Sequence, residues 1–163
     1  MRERKLIWWQ KIIHLCNPVI HRLVLVYWFI VRPTAQGTRV VLTNNNNVLV
    51  VEHTYGPRAH MFPGGLVKLG EEPEKTALRE IYEELGIHLD ELASLGSFVF
   101  EKHYKRDVIH VFHANIGSRA VNPDPFEIKC AFWSSVEDMP QLSPSSRTIF
   151  SMYQQYAQRT QSL

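Results

Sequence analysis

The sequence has few cysteines and no long apolar run, and both absences limit what the chain can be. Cys16 and Cys130 are the only cysteines among 163 residues, and they lie far apart with no ligand-like spacing around them. Two isolated cysteines form no disulfide framework and no zinc site, so a reducing, cytoplasmic location is expected. The longest uninterrupted apolar run, residues 23–31, has nine residues, whereas a membrane-spanning helix needs about 20.

A large excess of charge of one sign is also lacking, although the charge is unevenly distributed. The net charge is +2. Residues 1–32 carry six basic and one acidic side chain, a net +5, whereas the remainder carries 12 basic and 15 acidic side chains, a net −3. This distribution disfavours a nucleic-acid-binding domain and indicates a basic N-terminal segment directed at a surface. The apolar share of 45% is typical of a globular chain, and its length suits one domain.

Residues 1–33 predict an N-terminal amphipathic helical extension. An Asn-Pro pair at 17–18 is a good helix start, so we expect one helix at about residues 5–16 and another at about 18–31. A partly extended conformation is the alternative for the second helix, because its C-terminal half is rich in β-branched and aromatic residues. No smooth apolar stretch with a small-residue cleavage site, as in a signal peptide, is evident.

Three interpretations of residues 5–31 stay open. The segment is an amphipathic helix on a membrane surface, a homodimer interface, or an appendage packed on the following domain. Tryptophans with basic neighbours suit the first interpretation. Burial of the apolar stripes against protein is favoured, because aromatic residues at helical spacing are usually part of a core.

Residues 34–163 predict an α/β domain. Strands are expected at residues 38–43, 48–53, 97–101, 108–114 and 127–133, and helices at 73–85 and 144–158. Residues 44–47 are all asparagine and predict a hairpin, because Asn tolerates left-handed backbone angles. Gly86 is the expected C-terminal cap of the first helix, and Ser143 the expected N-cap of the second. Helices covering the faces of a mixed sheet are the economical layering.

The helix at residues 73–85 concentrates carboxylates on one side. Successive residues are about 100° apart on a helix, so Glu80, Glu83 and Glu84 share one face. An adjacent apolar stripe is expected to pack on the sheet, namely Leu78, Ile81 and Leu85. Acidic runs are often merely solvated, but this one follows a Gly-Gly loop that lets the backbone approach a ligand. Hard oxygen ligands of this kind suit Mg²⁺ or Mn²⁺.

Residues 65–87 match one template closely. Gly65 is followed after five residues by Glu71, and after seven more by Arg-Glu-Ile-x-Glu-Glu-x-Gly-Ile. This segment resembles the Nudix box, the signature of hydrolases that split diphosphate linkages in nucleoside diphosphate derivatives. The wider resemblance covers about residues 37–158. It implies a Nudix-type α/β/α sandwich with a mixed β-sheet, preceded here by the N-terminal helices, and a metal-dependent diphosphohydrolase.

The resemblance also implies roles for individual residues. The implied metal ligands are the Gly65 carbonyl, Glu80 and Glu84, with Glu83 in the same cluster. Arg79 would hold a box carboxylate through a charge-assisted pair. Mg²⁺ or Mn²⁺ would neutralise the diphosphate and acidify a water, whose proton a carboxylate would take. The general base is left open between Glu80 or Glu83 and, outside the box, Glu127, for which a solvated position at a strand end is an equal alternative.

Residues outside the box give a weaker indication of the substrate. Tyr104 lies where diadenosine polyphosphate hydrolases of the family carry a tyrosine, although core packing is the commoner role. Arg58 is a candidate for phosphate contact, and His60 stands where many relatives carry tryptophan. The proline typical of ADP-ribose hydrolases is replaced by Lys102. We therefore expect a small nucleotide-type diphosphate or a nucleoside triphosphate, with capped RNA as the one nucleic acid considered.

Two alternatives to such a hydrolase are kept. A non-catalytic Nudix-like nucleotide-binding module is disfavoured, because the box retains all its carboxylates. A membrane-peripheral hydrolase of lipid-linked diphosphates would use residues 5–31 to reach its substrate, and would make the protein membrane-associated.

Overall fold

The computed structural model describes residues 34–54, 59–102, 105–117 and 119–161. The helical extension predicted for residues 1–33, with its membrane and dimer interpretations, lies outside these ranges, as do Arg58 and Tyr104. Neither of the helices in the described ranges is both long enough and apolar enough to cross a membrane.

The described residues form five strands and two helices, and the five strands make one mixed sheet. In chain order they are β1 (Thr34–Asn44), β2 (Asn47–His53), α1 (Pro73–Leu85), β3 (Ala93–Lys102), β4 (Lys105–Asn115), β5 (Ile128–Ser135) and α2 (Pro144–Gln161). The spatial order is β3-β4-β1-β2-β5, in which β1 and β4 are parallel and the other pairs are antiparallel. The predicted α/β class with a mixed sheet is confirmed.

The turns and caps follow from local residue chemistry. Asn45 has a φ of 52° in the turn between β1 and β2, so the predicted hairpin is formed. α1 begins at a proline and ends at Gly86, which is left-handed with a φ of 66° and donates its N–H to the Tyr82 carbonyl. At the start of α2, the Ser146 N–H lies 3.3 Å from Ser143 Oγ, as expected for an N-cap.

The two helices cover opposite faces of the sheet, each over its own apolar cluster. The cluster beneath α1 contains Val40, Leu42, Leu49, Val51, Ala77, Ile81, Leu85 and Phe112. The cluster beneath α2 contains Val41, Val48, Val50, Phe62, Val111, Leu142 and Ile149. Leu78, predicted to pack on the sheet, is only half-buried, and Ala77 lies there instead. At about 100° per residue the buried stripe runs through Ala77, Ile81 and Leu85, so Leu78 falls at its edge.

β1 and β2 separate soon after their turn, and the separation makes room for the loop before α1. The two strands pair only at Thr43 with Val48 and at Asn44 with Asn47. Residues 61–67 then run between them. Backbone hydrogen bonds tie this segment to both strands: Val51 N–H to Met61 O, Val40 N–H to Pro63 O, Thr38 N–H to Gly65 O, and Val67 N–H to Gln36 O. The Gly-Gly loop is therefore held by the backbone of both strands, and side chains of Arg39 and Glu84 add hydrogen bonds to Gly64.

Candidate active site

A cleft of about 640 Å³ lies between α1, the 61–67 segment and the N-terminal halves of β1 and β4. Charged and polar side chains in its wall include Gln36, Thr38, Arg39, His53, Lys68, Arg79, Glu80, Glu83, Glu84, Asp107 and Glu127. The apolar part of the wall is formed by Met61, Leu66, Val67 and Ile109. The cleft wall thus combines charged side chains with apolar ones.

Gly64 and Gly65 are required by close approach at two different surfaces. Gly64 has a φ of 130°, and a Cβ on it would lie 2.5 Å from the Thr38 carbonyl oxygen. A Cβ on Gly65 would lie 2.3 Å from Cδ of Glu80 and 2.4–2.5 Å from its two carboxylate oxygens. Gly64 therefore allows the close approach of the Thr38 backbone, whereas Gly65 leaves space for the Glu80 carboxylate.

Glu84 is buried at the centre of the site. Its side chain is 2% exposed and both carboxylate oxygens have partners. Oε2 accepts the Gly64 backbone N–H at 2.9 Å, and Oε1 lies 3.1 Å from Nε2 of His53. On the helical wheel Glu84 lies about 20° from the buried Ala77, which explains why it is buried while Glu83, about 100° away, is 48% exposed.

Glu80 lies at the edge of the buried stripe, with its side chain 13% exposed. Burial raises the pKa of Glu80, and the neighbouring Glu84 and Glu83 charges add to the rise, while Arg79 opposes it. Nη1 of Arg79 donates to Glu80 Oε1 at 2.6 Å. The carboxylate is therefore held beside Gly65 by one strong charge-assisted contact.

Arg79 joins three carboxylates. Its Nε and Nη2 donate to the two oxygens of Glu71 at 2.9 Å each, a bidentate pair. Its Nη1 also donates to Glu83 at 2.9 Å, in addition to Glu80. The pair holds the pKa of Glu71 at about 2, well below its usual range, chiefly through the Arg79 hydrogen bonds. The same contacts raise the pKa of Arg79, and the hydrogen bonds to Glu71 have the largest effect.

Glu127 reaches the cleft from a turn that is tied to α1. The turn begins where the Asp124 N–H donates to the Glu84 carbonyl at 2.9 Å. The Thr54 N–H donates to the Glu127 carbonyl at 2.9 Å, which fixes the far end of the turn against β2. β5 begins at Ile128, one residue later than predicted, so Glu127 belongs to the turn and not to the strand.

Comparisons with known proteins agree with this geometry. The family described as NUDIX domain matches residues 33–155 of the chain. The chain belongs to the Nudix family. The resemblance found in its sequence is thereby confirmed, and residues 65–87 are its Nudix box.

Individual relatives are more distant. The chain is 29% identical over 110 residues to the NAD-capped RNA hydrolase NudC of Vibrio parahaemolyticus, covering 65% of this chain and 40% of that protein. It is 31% identical over 96 residues to the methanol dehydrogenase activator of Bacillus methanolicus, covering 57% of this chain and 52% of that protein. The chain therefore spans about half or less of these relatives.

A solved structure shows the same fold. The MutT NUDIX hydrolase from Burkholderia pseudomallei superposes with a TM-score of 0.68 at 24% identity, covering 73% of this chain and 97% of that chain. Nearly the whole of that Nudix fold thus has its counterpart in this chain. The predicted α/β/α sandwich agrees with it.

The structure brings most of the predicted Nudix site residues to one cleft. Residues predicted to act there and found in its wall are Gly65, Arg79, Glu80, Glu83, Glu84 and Glu127. His60, predicted to meet substrate, is placed elsewhere. Its ring lies edge-on to Phe132 at 5.3 Å, and its backbone pairs with Leu142 on the α2 side. The His60 side chain therefore packs against Phe132 and does not line the cleft.

The donor set of the box suits a hard divalent cation. Within the described ranges no three His, Cys, Asp or Glu side chains form a ready-made metal cluster. Arg79 holds Glu80 and Glu83, while Gly64 and His53 hold Glu84. Among the described residues the Gly65 carbonyl accepts the Thr38 N–H, and a carbonyl oxygen has a second lone pair. The atoms that could bind a cation are thus the carboxylate oxygens and the Gly65 carbonyl oxygen, and Mg²⁺ and Mn²⁺ prefer oxygen ligands.

His53 and Thr38 are among the cleft-wall residues that the sequence patterns did not mark. His53 ends β2 on the face that carries Leu49 and Val51, and strand alternation is the one signal that could have directed it towards α1. Thr38 is fully buried, and its Oγ1 has no hydrogen-bond partner in the described part of the chain. No sequence pattern marks it, because its position depends on the inserted 61–67 segment.

Proposed function

We propose that the chain is a Nudix-type diphosphohydrolase that cleaves a diphosphate linkage in a nucleotide-type substrate with a divalent cation. The observation that carries the proposal is the juxtaposition of Gly65 with Glu80, one turn from the buried Glu84 and beside an open cleft. Family membership supplies the reaction class. The intact set of box carboxylates argues against a module that only binds nucleotides.

The charge of the cleft supports a requirement for a cation. Its wall carries five acidic side chains against the three basic side chains of Arg39, Lys68 and Arg79. An anionic diphosphate would be repelled by this excess unless positive charge were added. Bound at the box carboxylates, Mg²⁺ or Mn²⁺ would neutralise the diphosphate and lower the pKa of a water.

The residues of the chain divide the remaining work. Glu80 and Glu84, with the Gly65 carbonyl, hold the cation, and Arg79 keeps Glu80 and Glu83 in place. Lys68 lies in the same wall and offers a charge to a phosphate oxygen. Leu66 and Ile109 form part of the apolar wall that would receive the rest of the substrate.

Hydrolysis then requires one proton acceptor. The oxygen of a water bonds to one phosphorus, and the bridging P–O bond breaks with its electrons remaining on the departing phosphate. The proton of the water passes to a carboxylate. Glu80, Glu83 and Glu127 are the candidates, and all three line the cleft.

A substrate panel tests the proposal. Nucleoside triphosphates, nucleotide sugars, dinucleoside polyphosphates, NAD and NAD-capped RNA would be incubated with Mg²⁺ or Mn²⁺, with excess chelator as the matched control. We expect cation-dependent cleavage at a diphosphate in at least one class. The relative named for NAD-capped RNA makes NAD and capped RNA the first compounds to try. Absence of cleavage across the panel with both cations would contradict the proposal.

A further inference from the structure

We infer that His53 is a positioning residue for the cation-binding carboxylate Glu84. The inference rests on the proposed function, because it concerns the same site. It assigns a task to a residue outside the Nudix box, on a different element of the fold. His53 closes β2, whereas Glu84 lies in the last turn of α1.

The contact between these residues is short and buried. Nε2 of His53 lies 3.1 Å from Oε1 of Glu84, and the two side chains are 9% and 2% exposed. An ionised carboxylate only accepts hydrogen bonds, so the proton of this contact belongs to the histidine Nε2. Gly64 donates its N–H to the other oxygen at 2.9 Å. Two donors on two oxygens fix both the position and the plane of the carboxylate.

Strand alternation places His53 on the same face of β2 as Leu49 and Val51, towards α1. β2 pairs regularly with β5 from Asn47 to Glu52, where Glu52 faces Cys130, but His53 faces Ile128. The register therefore shifts between Glu52 and His53. The extra residue is Lys129 on β5, so the alternation of β2 is kept up to His53. Bulges of this kind are over-represented beside active sites.

Loss of the histidine donor has a definite consequence. Oε1 of a nearly inaccessible carboxylate would lose its partner, and the group could turn about the single remaining Gly64 contact. Partners of metal ligands commonly contribute about tenfold to hundredfold in metal affinity. Glu84 should therefore bind a cation more weakly without His53, even though His53 need not touch the cation.

The test measures Mn²⁺ affinity of the full chain by electron paramagnetic resonance, without any substrate. His53→Leu removes the donor, His53→Gln keeps an N–H near the position of Nε2, and His53→Asn is one methylene too short to reach. We expect Leu and Asn to weaken Mn²⁺ binding by about tenfold or more, and Gln to restore it to within about threefold of the parent. His88→Gln, an exposed histidine stacked on Tyr82, is the matched control and should leave affinity unchanged.

The outcomes separate the inference from the proposed function. Mn²⁺ affinity that is equal in the parent, Leu and Asn proteins would overturn the role of His53, whatever the chain hydrolyses. Weakened binding in Leu and Asn, combined with no cleavage of any panel compound, would retain His53 and reject the proposed reaction. If the Leu protein does not fold, the comparison of Gln with Asn decides. A parent protein that binds no more Mn²⁺ than its Glu84→Gln variant would reject the inference.

Discussion

Gly65 and Glu80 share a space that has no room for a methyl group. A Cβ on Gly65 would lie 2.3 Å from Glu80 Cδ. Because the obstacle is the far end of a flexible side chain, Gly65→Ala should displace the carboxylate rather than unfold the protein. We expect turnover to fall by about 100-fold, as misplacement of about 1 Å can cause, with a nearly unchanged urea midpoint.

Gly64→Ala is the contrasting neighbour. Its Cβ would meet backbone, the Thr38 oxygen at 2.5 Å, and its φ of 130° is strained for any side chain. We expect a loss of about 2–3 kcal/mol in the free energy of unfolding, measured by urea denaturation. Equal stability losses in the two alanine variants would contradict this division of labour between the glycines.

Arg79→Lys tests the junction of the three carboxylates. A lysine keeps the positive charge but lacks the fork that meets both oxygens of Glu71. Glu80 and Glu83 would lose their fixed donor, so we expect kcat to fall by about tenfold to 100-fold. Arg119→Lys, at an exposed arginine that donates to the His88 carbonyl, is the control. Similar kinetics in both variants would show that the fork is dispensable.

The box helix was predictable from sequence, but the orientation of its carboxylates was not. Proline at the start and glycine at the end mark α1 locally, and its predicted bounds, residues 73–85, are confirmed. Sequence spacing alone treats Glu83 and Glu84 as equals. The structure buries Glu84 and half-exposes Glu83, because packing of Ala77 and Ile81 on the sheet decides which way the helix is turned.

Features that depend on long-range pairing were also missed. β1 begins at Thr34, four residues before the predicted start, because its polar first residues pair in parallel with β4, some 70 residues away in the chain. β2 and β5 also shift register between Glu52 and His53. Local patterns report neither, since parallel pairing and bulges are set by tertiary contacts.

Thr38→Val tests a buried hydroxyl in the cleft wall. The substitution removes an oxygen that has no hydrogen-bond partner among the described residues, so the free energy of unfolding should stay level or rise by about 1 kcal/mol. Thr43→Val is the matched control. Its hydroxyl lies 3.0 Å from Nε2 of His113, so its removal should cost about 1 kcal/mol. Denaturation showing losses of equal size would contradict the assignment.

His113 predicts a pH dependence of stability. Burial lowers the pKa of His113, whose ring lies against Tyr153 and Tyr156 and bonds to Thr43. The histidine therefore binds a proton more readily in the unfolded chain than in the folded one. The free energy of unfolding should fall as the pH drops through about 6.5, and should level off below the pKa of folded His113. His113→Gln should reduce the change of the urea midpoint with pH between about pH 7.5 and 5. An unchanged slope would contradict the prediction.

Substitution of the box carboxylates needs a choice of residue. Glu84→Gln would set an amide against the Gly64 N–H or against His53, so a loss of activity could reflect damage to the fold. Glu83 is 48% exposed and its contact in the structure is with Arg79. Glu72, whose side chain is 71% exposed and pairs with Lys75, is the N-cap residue of the same helix and provides an acidic control.

The most direct measurement is therefore Mg²⁺-dependent phosphoanhydride cleavage by the parent, Glu83→Gln and Glu72→Gln proteins, on whichever panel substrate the parent cleaves. We expect Glu83→Gln to lose about 100-fold or more in turnover at an unchanged unfolding midpoint, while Glu72→Gln keeps the parent rate. Turnover by Glu83→Gln equal to that of Glu72→Gln would contradict the claim that the carboxylates of α1 drive the reaction.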